Sequence, residues 1–296
     1  MRCRRRRLVA LAAVALAARH AHGVALGTPP EPGEAMWFAT VVWSVYGMTL
    51  SCGGVLIAPS WVVTAAHCVG GVASAAVGAG RVVLPLAPGA PAYAVVEARG
   101  VPVPAPARAR ARARAVRTTS LAAAAQAHVH PSWVPLGEHD LAVVRLDSAA
   151  WVRPATVACD NGVWASLVGD GPLKVVGSGL NESGVATDSV LSISVTAVAD
   201  GDCVQPLQQL TVGQVQHDVC AGAGGSRKLH SSACPGDSGG PLFRGDTVYA
   251  LVSRGDASHG CGHSLVPEIY CELAQNCGFV HSVARGNSTP MFISEL

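Results

Sequence analysis

LSCGGVLIAPSWVVTAAHC at residues 50–68 and CPGDSGGPL at 234–242 are the two stretches on which the reading turns. In residues 36–68, runs rich in Val, Trp and Phe alternate with Gly or Pro breaks. WFATVVWSVYG and LSCGGVLIAPSWVVTAAHC therefore read as consecutive strands with short turns. Working outward, LAVVRL at 141–146, KVVGSG at 174–179, VLSISVTAV at 190–198 and TVYALVS at 247–253 repeat the pattern. No segment carries a long, clean 3.6-residue period, and only residues near 272–280 suggest a short helix. The fold class expected is all-β, with many short antiparallel strands.

Half of the 296 residues are hydrophobic and 14% are charged, which excludes a disordered polyelectrolyte. The longest apolar run, Leu8 to Ala18, is too short to span a bilayer. It follows the basic MRCRRRR and precedes the small residues of ARHAHG, the layout of a secretory signal peptide over 1–23. An organellar transit signal would be longer and richer in Ser. Removing 1–23 takes away six of the 21 Lys and Arg and none of the 19 Asp and Glu, leaving a net −4. Six of the remaining arginines lie between Arg99 and Arg117; the rest of the chain carries −10. Such an acidic body argues against a nucleic-acid partner and, with no spanning segment, against a membrane partner. VPVPAPARARARARAVRTTSLAAAAQA, residues 101–127, reads as a low-complexity surface insertion that offers polyanions a contact.

Three motifs follow in order: TAAHC at 64–68, HDLAVVRL at 139–146 and CPGDSGGPL at 234–242. A serine hydroxyl is a weak nucleophile until a base takes its proton. His67 can do so near neutral pH, and Asp140 would fix the imidazole tautomer and stabilise its protonated form, with Ser238 as nucleophile. GDSGG also fits the elbow of an α/β-hydrolase. That fold needs Ser, then acid, then His, and only 58 residues follow Ser238 without alternating strand and helix units. No two cysteines are spaced as CxxC, so neither a metal nor a cofactor is expected. His128, His130, His217 and His281 read as surface residues. Asn181-Glu182-Ser183 is a glycosylation acceptor pattern in a loop, and Asn287-Ser288-Thr289 is a second, disfavoured by Pro290.

The joint pattern resembles the chymotrypsin/trypsin-like serine peptidase family over about residues 24–280. Cys52-Gly53-Gly54 with Trp61 to Cys68 looks like the family's histidine region, and Gly236 to Pro241 like its serine signature. Gly177-Ser178-Gly179 and Val252-Ser253-Arg254-Gly255 resemble two further family segments, each with a Trp replaced. The resemblance implies two six-stranded antiparallel β-barrels, 24–150 and 151–296, with the active site in the cleft between them and a short C-terminal helix. It implies a secreted, monomeric endopeptidase that takes a polypeptide substrate. Backbone N–H groups of Gly236 and Ser238 would form the oxyanion hole, and Ser253 would help to hold Asp140. A catalytically inactive member that binds through its surface is the alternative; loss of a triad residue would favour it and none is lost, and the two Trp replacements keep it open.

Further expectations rest on the same resemblance. Cys52–Cys68, Cys203–Cys220 and Cys234–Cys261 would be disulfides; Cys159, Cys271 and Cys277 stay unassigned, with one thiol left over. Val24 would become the new N-terminus, released by signal peptidase after Ala21-His22-Gly23, and its amine would pair with Asp237. Ser232 would form the base of the specificity pocket with Ala233 beside it, and Ser253, Arg254 and Gly255 would form one wall. Glu268, in place of the usual Gly, would project an acid into the pocket. It would favour mixed aromatic or apolar and basic side chains before the scissile bond, unless Arg254 paired with it.

Overall fold

Val, Ile, Leu and Trp at successive positions of Val55–Thr64 leave almost no exposed surface, and these residues seed the first barrel. The computed structural model describes residues 24–45, 48–70, 81–84, 122–185, 189–207, 217–222, 231–255, 261–262, 266–285 and 293–294. Strands β1 (Phe38–Val45), β2 (Met48–Ala58), β3 (Trp61–Thr64), β4 (Arg81–Val83), β5 (Ala122–Val129) and β6 (Ala142–Leu146) close a barrel in the order β1-β2-β3-β6-β5-β4. A two-residue turn, Pro59-Ser60, reverses the chain between β2 and β3, where Val55 lies opposite Val63. The short helix α1 (Ala66–Gly70) ends the third strand.

After β7 (Thr156–Ala158) and α2 (Val163–Leu167), the chain builds the second sheet. It contains β8 (Leu173–Gly177), β9 (Leu191–Val198), β10 (Asp218–Gly222), β11 (Pro241–Arg244), β12 (Thr247–Arg254) and β13 (Glu268–Glu272), with α3 (Asp200–Leu207) between β9 and β10. The antiparallel pairings β11–β8, β8–β9, β9–β10, β10–β13, β13–β12 and β12–β11 return to their starting strand. They make the second six-stranded ring. Strand β7 and the two-residue β14 (Ile293–Ser294) extend it in parallel. Helix α4 (Leu273–Arg285) is the expected C-terminal helix.

One apolar cluster spans both rings, and a second fills the second ring. Val176, Phe243, Val248 and Leu251 from the second ring pack among the first ring's residues, and Trp37 meets Phe243 edge to face at 5.1 Å. Burying such a side chain stabilises by roughly 1.5–3 kcal/mol, and an aromatic pair adds about 1 kcal/mol. The rings are therefore held in one relative position, which a site spanning them requires.

Several expectations need adjustment. The signal-peptide segment 1–23 lies outside the described residues, as do 101–121 of the Arg-Ala run. Ala122 to Ala127 belong to β5, paired with β4 and β6, so they are barrel rather than insertion. Asn181 is buried, and its side-chain oxygen accepts the Ser183 and Val185 N–H groups in a tight turn, so it is poorly placed to receive a glycan. His128 and His130 are half-buried rather than on the surface.

The three disulfides implied by the resemblance are present, and Cys159 joins Cys277, tying the connection between the rings to α4. Cys271 is left as a free thiol, wholly buried, accepting a hydrogen bond from the Asn276 amide. Burial also pushes this thiol well above the usual range, so it has little thiolate to react. The chain beginning at Val24 should titrate for a single thiol, and only after denaturation. Peptide mapping should find the label on Cys271 alone; prompt labelling of the native protein, or a label on Cys159 or Cys277, would refute this pairing.

Candidate active site

His67, just after β3, and Asp140, just before β6, meet at the same end of two paired strands, 73 residues apart in the chain. The turn from β3 into α1 presents His67 at the surface, its ring part-exposed. Asp140 lies two residues before β6. It follows His139, whose φ of 56° turns the chain so that the Asp140 side chain is directed inward. The Asp140 carboxylate accepts the His67 backbone N–H at 2.8 Å, the His67 Nδ1–H at 2.7 Å and the Ser253 hydroxyl at 2.8 Å. Since a carboxylate only accepts, the imidazole proton sits on Nδ1 and Nε2 keeps its lone pair. Burial alone would raise the Asp140 pKa, but hydrogen bonds and charge from His67, with Ser253, hold it below the usual carboxylate range.

Ser238 is anchored to β2 and beside the histidine turn through its backbone. Its carbonyl accepts the Gly53 N–H at 2.7 Å and lies 3.7 Å from the Cys68 sulfur, the residue beside His67. Next to it, the Gly239 N–H donates to the Val252 carbonyl at 2.7 Å, beside Ser253. The serine loop is thus pinned between the histidine turn and β12. Two glycines make this approach feasible. A Cβ on Gly53 would sit 2.5 Å from the Gly240 Cα, and Gly236 adopts φ 99°, where a Cβ would lie 2.8 Å from the Gly179 Cα. Such a positive φ is one that glycine adopts without strain.

Asp237 is completely buried. Its two oxygens accept the N–H groups of Gly179 and Cys234, each at 2.7 Å, and desolvation raises its pKa to about 7. Val24, expected as its charged partner, is buried in the second ring's core, and the Ala25 N–H donates to the Ser232 carbonyl at 2.8 Å. Among the described residues, the hydrogen bonds of the Asp237 carboxylate go to Gly179 and Cys234.

Ser232, Ala233, Gly255 and Glu268 come together. The Ser232 hydroxyl accepts the Gly262 N–H at 2.8 Å, and Glu268 receives the Tyr270 hydroxyl at 2.8 Å and the Ala233 backbone N–H. The Gly255 position faces the Glu268 Cγ, where a Cβ would lie 3.5 Å away. Arg254 does not pair with Glu268. Its guanidinium binds Asp218 at 2.7 Å, the Gly137 carbonyl at 3.1 Å and the Ser253 hydroxyl at 3.2 Å. Burial pushes Asp218 up to about 6, and the Arg254 charge offsets this only in part. Asp218 escaped the sequence reading, although an arginine in a cleft calls for an acid and His217-Asp218 opens a buried strand.

The Trypsin family model matches residues 25–278. Mouse vitamin K-dependent protein C is 29% identical over 271 residues, covering 86% of this chain and 50% of that protein. Human kallikrein-4 is 26% identical over 266 residues, covering 88% and 87%. Protein masquerade of Drosophila melanogaster is 25% identical over 265 residues, covering 88% of this chain and 23% of that protein. The chain spans half the length of the mouse and rat protein C it matches.

Desolvation also raises Glu268, from 4.5 to about 8, with the Asp237 charge adding to it and the Tyr270 hydroxyl working against it. A carboxyl held protonated in the fold stabilises it fully below the unfolded pKa, and this contribution is lost as pH rises toward the folded pKa. Urea denaturation at about pH 4.5 and pH 8 should therefore show the wild type weakening with rising pH. Glu268→Gln should remove on the order of a few kcal/mol of that loss. An equal loss in both proteins would mean that Glu268 ionises freely.

Proposed function

Because the chain belongs to the trypsin family of serine peptidases, we propose that it is a secreted endopeptidase using Ser238, His67 and Asp140. The observation that carries this reading is the pair of bonds from His67, main chain and ring, to one Asp140 carboxylate. They leave His67 Nε2 as an available base. Nε2 takes the Ser238 proton as Oγ attacks the peptide carbonyl, and Asp140 stabilises the imidazolium without itself being protonated. The backbone N–H groups of Gly236 and Ser238 hold the developing oxyanion. His67 returns the proton to the leaving amine, and water then releases the acyl group from Ser238 by the same relay. Secretion is supported by the N-terminal pattern of 1–23 and by four disulfides. Among the described residues no helix is long and apolar enough to cross a membrane. The arginines of 101–127 would offer polyanions a salt-sensitive contact.

Activation follows from the Asp237 surroundings. Cleavage after Gly23 would create a charged amine on Val24, whose neighbour Ala25 is already bonded to Ser232. Pairing with the desolvated Asp237 would lower its pKa and fix the loop that carries Gly236 and Ser238.

Specificity rests on Glu268, which lies between Ala233 and Gly255 and is not neutralised by Arg254. Protonated, it leaves a pocket for aromatic and apolar side chains; ionised, it pairs with Lys or Arg. For kcat/KM the free enzyme's titration governs, and in a ratio of two substrates any ionisation that both share cancels. The Arg-to-Phe ratio of kcat/KM should rise about tenfold per pH unit below about pH 8 in the wild type and stay flat in Glu268→Gly. Ser238→Ala should abolish cleavage of both substrates. A wild-type ratio independent of pH would remove Glu268 from specificity, and full cleavage by Ser238→Ala would remove Ser238 from the mechanism.

A further inference from the structure

Next to Asp140 in the chain, His139 takes part in a stack of three imidazoles. His139 lies between His130, with centroids 4.4 Å apart and planes 8° apart, and His217, at 5.3 Å and 25°. The left-handed backbone of His139 turns its ring into this stack, and such a conformation persists only where its surroundings enforce it. Asn276 supplies part of that enforcement. Its amide nitrogen donates to the Glu272 carbonyl at 2.6 Å, which orients the amide so that its oxygen faces His139 Nδ1 at 2.9 Å. Nδ1 must then carry the proton, and His139 Nε2 is left with a lone pair.

Glu138 completes the group. One of its oxygens lies 3.7 Å from His217 Nε2, and the other is buried with no hydrogen-bond partner among the described residues. Donor atoms of Glu138, His139 and His217 all lie within 4.8 Å of one another. Two other groups of potential ligands occur, but their cysteines, Cys52, Cys68, Cys159 and Cys277, are consumed in disulfides and offer no thiolate.

We propose that Glu138, His139 and His217 form a binding site for one divalent transition cation of the zinc type. Two imidazoles and a carboxylate are a ligand set that zinc accepts, with bonds of about 2.0–2.2 Å. At tetrahedral angles such bonds place donors about 3.3–3.5 Å apart, so the 3.7 Å between Glu138 and His217 needs little adjustment. Asn276 acts as the outer-shell group that fixes the tautomer and ring angle of a ligating histidine. His217 is at the surface, which gives the ion an entry path and leaves the fourth position to water. The site does not depend on the peptidase reading, since none of its ligands belongs to the proposed catalytic set.

Calorimetric titration of the full chain with zinc chloride in metal-free buffer tests the site. Wild type should bind one ion. His217→Ala and Glu138→Gln should each weaken it at least tenfold, with their zinc-free melting temperatures close to wild type. No saturable binding by wild type, or unchanged affinity in both variants, overturns the proposal. Should a variant melt early, cobalt(II) loaded into the wild type decides instead. Intense visible bands of a four-coordinate ion support the site, and the pale spectrum of hydrated cobalt refutes it.

Discussion

A carboxylate taken out of water is unfavourable by several kcal/mol unless its oxygens are bonded, and Asp140 is almost wholly buried. Three donors compensate: the main chain and ring of His67 from the first ring, and the Ser253 hydroxyl from the second. Because both rings contribute, Asp140 is satisfied only when they are docked. The continuous apolar core through Trp37 and Phe243 holds that docking, and the Asp140 bonds in turn select the His67 orientation.

The same logic of desolvated acids runs through the second ring. Asp237, Glu268 and Asp218 are all buried and all raised in pKa, but each is compensated differently. Backbone N–H groups serve Asp237, a tyrosine hydroxyl and a backbone N–H serve Glu268, and a guanidinium serves Asp218. A free amine on Val24 would add to Asp237 the positive charge that its two backbone donors do not supply. Glu268, like Asp237, is bonded only by neutral donors.

Much of this was legible in the residues. The β-branched runs of 50–68, 141–146 and 190–198 sit on their strands because alternation and turn residues are local signals. Ser238 stood out because its motif surrounds a hydroxyl with glycines, and His67 and Asp140 because ionisable groups border apolar strand runs. Contacts between distant positions were not legible. Spacing does not say that Cys159 reaches Cys277, 118 residues on, or that Arg254 chooses Asp218 over Glu268. Those choices depend on which strands become neighbours: β10 lies beside β13, which lies beside β12. The histidine stack was hidden for the same reason, since His217, just before β10, meets His130 and His139 of the distant β5–β6 connection.

The central claim is that Asp140 and His67 activate Ser238, and covalent labelling reads this directly. The purified chain, beginning at Val24, should react with a fluorophosphonate to give a single adduct, mapped by mass spectrometry to Ser238. His67→Ala should abolish that adduct while the protein stays folded. Failure of the folded wild type to form an adduct, or an adduct on Ser238 that persists without His67, would contradict the account.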